Sequence, residues 1–355
     1  MLEIDGSIGE GGGQILRTSL AISALLNKPV RIYNIRMNRP NPGLRPQHMA
    51  SVKVLADLTG AELKGLEEGS TELIFSPKGG GVKNTVIDIG TAGSISLLLQ
   101  AITPYCIFTG SRVKLRIIGG TDVKWSPPID YIKYVAAPLF KKMNIIIDVN
   151  LVKRGFYPKG GGVVDVSFHP CDELKPIQIG EQSKILQIKG VSYAGNLPLH
   201  VVKRQAESAE RVLKESGLIP ANTPIEILQE EPVNVLSPGS GILLYATMDK
   251  DGLLGSDSLG EKGVPAERVG ESAANSLISQ LKTKAGVDQH MGDMLIPYLG
   301  LAAGSSKIYT SNMTLHTATN IMIVEKFLNV KFKVLGGLNK PSYIEVEGRY
   351  LNQLR

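Results

Sequence analysis

A mixed α/β fold built from repeated units is what this 355-residue sequence predicts, and three observations carry the prediction. Apolar periodicity switches between the helical and the strand period in the order strand-helix-strand-helix-strand-strand, and that βαβαββ order recurs. The hexapeptide Pro-Lys-Gly-Gly-Gly-Val stands at 77–82 and again at 158–163, a repeat-sized offset that argues for internal duplication. Residues 183–285 break the rhythm with an α/β set of their own and read as an insert.

In the first unit, residues 2–4 form a short strand and residues 12–26 a helix, with Ile15, Leu16, Leu20, Ile22, Leu25 and Leu26 at helical spacing and Asn27 and Pro29 as its stop. Residues 30–35 alternate with period two, as a half-buried strand does. A loop over 36–46 carries Pro40, Pro42 and Pro46, and is followed by a helix at 47–58 and strands at 61–65 and 71–75. The second unit runs as strand 86–89, helix 92–102, strand 112–118, helix 129–143 and strands 145–152 and 162–168. The third closes the chain with helix 290–303, strand 307–310, helix 315–328 and strands 330–335 and 343–346. The insert reads as strand 185–193, a charged helix 200–216, strands 225–230, 242–248 and 253–256, and an amphipathic helix 266–283. The expected division is a large repeat domain from residues 1–182 and 286–355, with 183–285 as a small inserted domain.

Composition narrows the class. Hydrophobic residues make up 43% of the chain, enough for extended cores, and the longest apolar stretch, 94–108, is interrupted by Gln100, Thr103 and Pro104. The first residues lack a signal pattern, so the expectation is a cytoplasmic protein with no membrane partner. Cys106 and Cys171 have neither metal-ligand nor redox spacing and read as buried thiols. The net charge of +6 is locally concentrated: Lys28, Arg31, Arg36, Arg39, Arg45 and Lys53 fall in one stretch without an acid. Aromatic residues are scarce and not interleaved with these bases, which argues against a long stacking platform and leaves a short strand or one end of one.

The candidate chemistry begins at Glu10-Gly-Gly-Gly-Gln-Ile-Leu-Arg17. Glycines let backbone N–H groups approach an anion, and a helix starting there aims its positive end at the same spot. Glu10 could then hold a divalent cation and Arg17 neutralise phosphate; a plain turn is the alternative. His316 sits where the last helix begins, with Thr314 or Asn312 as N-cap, and a neutral imidazole there could attack phosphorus or simply cap and pack. His290 and Asp293 share a helix face, suited to a metal or to an aspartate orienting a histidine. Arg36, Arg39, Arg45, Gln47 and His48 lie in or beside a loop that its prolines stiffen, suited to holding bidentate donors. The insert's Lys203, Arg204, Glu207, Glu210, Arg211, Lys214 and Glu215 read as a solvated helix face, and the insert as poor in chemistry.

Three segments carry a resemblance: Glu10 to Arg17, Arg36-Met-Asn-Arg39-Pro-Asn-Pro-Gly-Leu-Arg-Pro-Gln-His48, and Arg154-Gly-Phe-Tyr-Pro-Lys-Gly-Gly-Gly162. Together they resemble the RNA 3'-terminal phosphate cyclase family, in its catalytic branch, over essentially the whole chain. The resemblance implies three βαβαββ units plus an inserted domain of thioredoxin-like topology. It implies ATP, a divalent cation (Mg²⁺ or Mn²⁺) and an RNA with a 3'-phosphate end as the molecules handled, and leaves open a homodimer. The implied reaction forms a histidine-AMP adduct, passes AMP to the RNA 3'-phosphate, then closes a 2',3'-cyclic phosphate with release of AMP.

By the same resemblance His316 is the nucleophile, Glu10 the metal-binding acid, and Arg17, Arg36, Arg39, Gln47 and His48 line the phosphate site, with Asp293 as the active-site aspartate. Where the family segment usually ends Asp-Gln-Leu, this chain has Asp293-Met294-Leu295. Adenine is expected near Pro127 and His290, the histidine standing where relatives often carry tyrosine. Rival readings are a non-catalytic cyclase-like ribosome-assembly factor, which would be expected to lose His316, an enolpyruvyl-transferase-like enzyme, and a general RNA-binding module.

Overall fold

Three four-stranded sheets of the protein carry one strand order, seen in a computed structural model that describes residues 1–81 and 84–351. Val82, the last residue of the first hexapeptide, lies outside the described residues. The first sheet comes from β1 (Leu2–Asp5), α1 (Gly13–Leu26), β2 (Val30–Tyr33), α2 (Pro46–Thr59), β3 (Glu62–Lys64) and β4 (Leu73–Ser76), in the order β1-β2-β4-β3. β1 and β2 are parallel and the other pairs antiparallel.

The second sheet repeats this with β5 (Thr85–Asp88), α3 (Ile95–Cys106), β6 (Val113–Gly119), α4 (Ile129–Tyr131), a π-helical stretch (Ile132–Ala136), α5 (Ala137–Lys142), β7 (Ile147–Lys153) and β8 (Gly162–Phe168). Its order is β5-β6-β8-β7. The first strand of the third sheet, β9 (Gln178–Ile179), is two residues long and precedes the insert, too short to show an alternation.

The insert forms its own sheet from β10 (Ile185–Gly195), β11 (Ile225–Gln229), β12 (Gly239–Met248) and β13 (Leu253–Leu259), ordered β11-β10-β12-β13. Its helices, α6 (Leu199–Glu215) and α7 (Ala266–Leu281), help bury a separate apolar core that includes Ile188, Leu213, Ile242, Leu244 and Leu277. After it come α8 (Gln289–Met294), α9 (Ile296–Leu301), β14 (Gly304–Thr310), α10 (Leu315–Leu328), β15 (Phe332–Leu335) and β16 (Ser342–Gly348). Together with β9 these give β9-β14-β16-β15, the third copy of the order, with β9 and β14 parallel.

The hexapeptides do not mark equivalent places. The first follows β4 and the second runs into the first two residues of β8, although these strands hold the same position in their sheets. The duplication is carried by strand order, and the shared hexapeptides serve different turns.

Helix ends follow local chemistry. α1 and α10 stop at Asn27 and Asn329, both with φ 52 in the left-handed region that asparagine tolerates. α3 starts three residues later than expected, because the Ser94 side chain accepts from Leu97 N–H at 3.2 Å as its N-cap. The single helix expected over 290–303 is two, α8 and α9, with Pro297 at the start of the second. Proline has no N–H to return to the carbonyl four residues back, that of Asp293. The Asn320 Nδ2 of α10 donates to that carbonyl instead, at 3.0 Å.

Arg154 fastens the insert to the second unit. Its guanidinium, 3% exposed, pairs with Asp130 (2.7 Å) and Asp122 (3.4 Å) and reaches Glu230 of the insert at 2.8 Å. It also lies over the Tyr193 ring of β10, 3.6 Å from the centroid. No helix among the described residues is long and apolar enough to cross a membrane.

Candidate functional site

The loop before α1 and the first turn of α10 meet, joining the two ends of the chain. The Glu10 N–H donates to Thr319 Oγ1 at 3.0 Å, and Glu10 Oε2 lies 3.8 Å from His316 Nδ1, beyond hydrogen-bond length but close enough for charge to be felt. Gly11, at φ 61, turns the chain here, and Gly12 is the N-cap of α1. A side chain at Gly13 would meet His48 Nε2 at 2.5 Å, so the glycine lets the imidazole rest on the helix start.

Hydrogen bonds tie α1, α8 and α10 into one frame. Arg17 Nη2 donates to Gln14 Oε1 (2.7 Å), Gln14 Nε2 donates to Asn320 Oδ1 (3.2 Å), and Thr18 Oγ1 donates to the same oxygen (2.8 Å). Asn320 passes the link to the Asp293 carbonyl, and Asp293 Oδ1 accepts from Thr314 Oγ1 (2.6 Å) and from Thr317 Oγ1. Thr314 and Thr317 are also the capping box of α10. Asp293 therefore touches the cap of the helix that presents His316, rather than an imidazole. At the start of α8, Asp288 accepts from His290 N–H (2.8 Å), Tyr131 O–H (2.6 Å) and Gly255 N–H (2.8 Å), fixing that helix to the insert.

A cleft of about 370 Å³ opens beside this frame, lined among others by Arg17, Pro127, Asp257, His290, Asp293 and His316. Burial lowers Arg17 to about 10, leaving it cationic at neutral pH. His48 is held neutral, its pKa pushed down to about 3 by burial and by Arg17, Arg36 and Arg45. His48 Nδ1 accepts the Arg45 N–H at 3.2 Å, so the ring proton belongs on Nε2, the atom beside Gly13. His316 is likewise lowered, by burial and then Arg17, His290 and Arg39, which favours an unprotonated imidazole. Asp293 and Asp257 are raised to about 6, mainly by burial.

Of the residues expected at the site, Glu10, Arg17, Arg39, Asp293 and His316 come together, with Arg39 ion-paired to Glu10 and donating to the Glu10 carbonyl at 3.0 Å. His48 joins them beside Gly13, and Pro127 and His290 form the far wall, where His290 meets Tyr131 edge-on at 5.7 Å. Arg36 donates to the carbonyls of Asn41 (2.8 Å) and Gly43 (3.0 Å), bracing its own loop. Gln47 lies near Gly93 and, like Arg36, does not line the cleft. Among the described residues no group of three or more His, Cys, Asp or Glu side chains is arranged to hold a metal.

Sequence reasoning missed several participants. Asn320, Thr317 and Thr18 were legible only as helix-face polar residues, and Pro297 gives no local hint that it frees the Asp293 carbonyl. Asp257 comes from β13 of the insert, expected to be poor in chemistry. Trp125, the one tryptophan, also lines the cleft; its signal was its place among Lys124, Ser126, Pro127 and Pro128.

Three atoms mark where the frame is incomplete. Glu10 Oε2, Arg17 Nε and His316 Nδ1 are all buried and without a hydrogen-bond partner. Unmet buried polar groups cost about 1–3 kcal/mol each, so their convergence suits a site completed by a charged ligand.

Fold and site together define a repeat-built α/β protein with a polar cleft, lined by Arg17, His290, His316 and two aspartates, beside the place where the two ends of its chain meet. The chain belongs to the RNA 3'-terminal phosphate cyclase family, whose model matches residues 8–334. Proteins named RNA 3'-terminal phosphate cyclase from Ignicoccus hospitalis and Pyrobaculum aerophilum are each 48% identical to it, over 98% of this chain and 99% and 98% of theirs. One from Desulfurococcus amylolyticus is 50% identical over 98% of both chains.

Proposed function

We propose that the protein is a catalytic RNA 3'-terminal phosphate cyclase, using ATP to convert an RNA 3'-phosphate into a 2',3'-cyclic phosphate. The observation that carries this reading is the meeting of His316, Glu10 and Arg17 with their inward-facing atoms unpartnered. Supporting it are the family membership and relatives bearing that name.

In this reading His316 attacks the α-phosphorus of ATP through Nε2, with Nδ1–H facing Glu10. The bond between the α-phosphorus and the bridging oxygen breaks, and pyrophosphate leaves. Glu10 favours the positive charge that the imidazole gains, which keeps it a good leaving group for the next step. An oxygen of the RNA 3'-phosphate then attacks the same phosphorus, and His316 is released. Finally the neighbouring 2'-OH attacks the RNA 3'-phosphorus, AMP departs, and the ring closes. Arg17 and Arg39 meet negative charge on the phosphates, and His48 offers its Nε2–H beside the start of α1. Pro127 and His290 flank the adenine.

Glu10 fits a divalent cation, because one carboxylate together with substrate phosphates and water is the usual protein share for Mg²⁺, and its Oε2 is unpartnered. Such an ion would supply charge neutralisation to the departing pyrophosphate. The domain division proposed is 1–182 with 286–355 against 183–285, supported by the separate core and sheet of the insert.

The test is an RNA bearing a 3'-phosphate, incubated with protein, ATP and Mg²⁺ or Mn²⁺. Its end should become resistant to phosphatase, and a terminal 2'-deoxynucleotide should stop the reaction at the adenylylated RNA. A 3'-phosphate that stays phosphatase-sensitive with every metal tried would overturn the reading.

A further inference from the structure

We propose that the Trp125 indole is a stacking platform for the terminal base of the RNA, a subsite at the mouth of the cleft. This rests on the reading of the cleft as the place where an RNA 3'-phosphate reacts. Trp125 is 95% exposed, and among the described residues that line the cleft it alone is exposed. A large aromatic ring left in water at the edge of a polar cleft offers a flat face on which another ring can stack.

The backbone argues the same way. Trp125 has φ 62, a left-handed conformation that is a true outlier for a bulky side chain and persists only where its surroundings enforce it. Contacts on both sides of it in the chain hold the loop. The Ile129 N–H donates to the Thr121 carbonyl at 2.9 Å, closing the loop at its base. Ser126 Oγ donates to the Val123 carbonyl (3.1 Å), Lys124 pairs with Glu261 of the insert (2.8 Å), and Asp122 is held by Arg154. The backbone beneath the ring is thus fixed, and the indole is displayed without being packed, so that stacking on a base has only its two side-chain torsions to order.

The occupant is the RNA base rather than the adenine of ATP because of depth. Pro127 is buried and His290 half-buried against Tyr131, so the adenine wall lies inside, whereas Trp125 faces solvent where a chain must enter. Stacking is tolerant of base identity, so the subsite would read the presence of a terminal base and not its sequence.

As the one tryptophan of the chain, Trp125 reports its own occupancy. The protein is titrated with a short RNA carrying a 3'-phosphate, with the same RNA made abasic at its last nucleotide, and with a non-hydrolysable ATP analogue. Tryptophan fluorescence should be quenched by the first and changed little by the other two. In an equilibrium binding assay Trp125→Ala should weaken the first RNA about 5- to 150-fold, the loss of one stacked base, and Trp125→Phe less, while the abasic RNA binds all three proteins alike. Equal loss for the base-bearing and abasic RNAs, unchanged RNA binding by both variants, or quenching by the ATP analogue alone would overturn the proposal. Protein labelling by ATP at His316 is measured in parallel. Its presence with an unresponsive Trp125 would sink the subsite alone, whereas its absence in wild type would sink the cyclase reading itself.

Discussion

His316 Nδ1 and Glu10 Oε2, from opposite ends of the chain, stand 3.8 Å apart with neither atom hydrogen-bonded. The pair is held by its surroundings rather than by a mutual bond: Thr319 anchors the Glu10 backbone, and Arg39 takes the other carboxylate oxygen. Glu10→Gln keeps the shape and removes the charge. Adenylylation of the protein is expected to slow by about 10²-fold or more, within the range for a positioned charged group, with little change in the denaturation midpoint. Rates measured by rapid quench at saturating ATP check this, and a rate within twofold of wild type would contradict it.

Asp293 lines the cleft and holds the cap of the helix that presents His316. Its carboxylate accepts from both hydroxyls of the α10 capping box, and its carbonyl from Asn320. Asp293→Ala should cost about 1–3 kcal/mol of stability by stranding the Thr314 and Thr317 hydroxyls, measured by urea unfolding, and should slow adenylylation by displacing His316. Asp293→Asn retains an accepting oxygen and should recover most of the stability.

Two histidines report acid through different readouts. The pKa of His48 falls from an ordinary 6.5 to about 3 in the folded protein, so the unfolded chain binds the proton more readily. Its contribution to stability is therefore complete above about pH 6.5 and is lost as pH falls from there toward 3. The urea midpoint should drop over that window, with a shallower slope in His48→Gln. The pKa of His316 is also lowered, so adduct formation should hold steady through neutral pH and fall only below the ordinary histidine range.

Arg154 tests the join between insert and repeat units. Its removal leaves Asp122 and Asp130 buried without their cation, and Arg154→Met should destabilise by about 3–5 kcal/mol. Calorimetry should show this as a lowered unfolding temperature. Lysine, which lacks the guanidinium's fork of donors, should recover only part of the loss.

Much of the fold was legible because its helices and strands obey local rules. The α10 range, the Thr314 cap and the Asn27 stop follow from periodicity and capping chemistry that act within a few residues. β9 was invisible because two residues carry no period, and it makes sense only beside β14. Within the candidate site, Glu10, Arg17 and His316 stood out by residue type and motif. The Asn320, Thr18 and Gln14 links could not be read, since they join segments from opposite ends of the chain and depend on how α1 packs on α10. The break before Pro297 was missed, since one helix was expected over 290–303, and with it the carbonyl offered to Asn320.

Labelling with α-³²P-ATP tests the central claim most directly. With Mg²⁺ or Mn²⁺ and no RNA, the wild-type protein should acquire label that is acid-labile and alkali-stable, as a phosphoramidate is, and His316→Ala should acquire none. RNA with a 3'-phosphate should then discharge the label. Label that persists in His316→Ala, or a wild-type protein that never becomes labelled, would contradict the account.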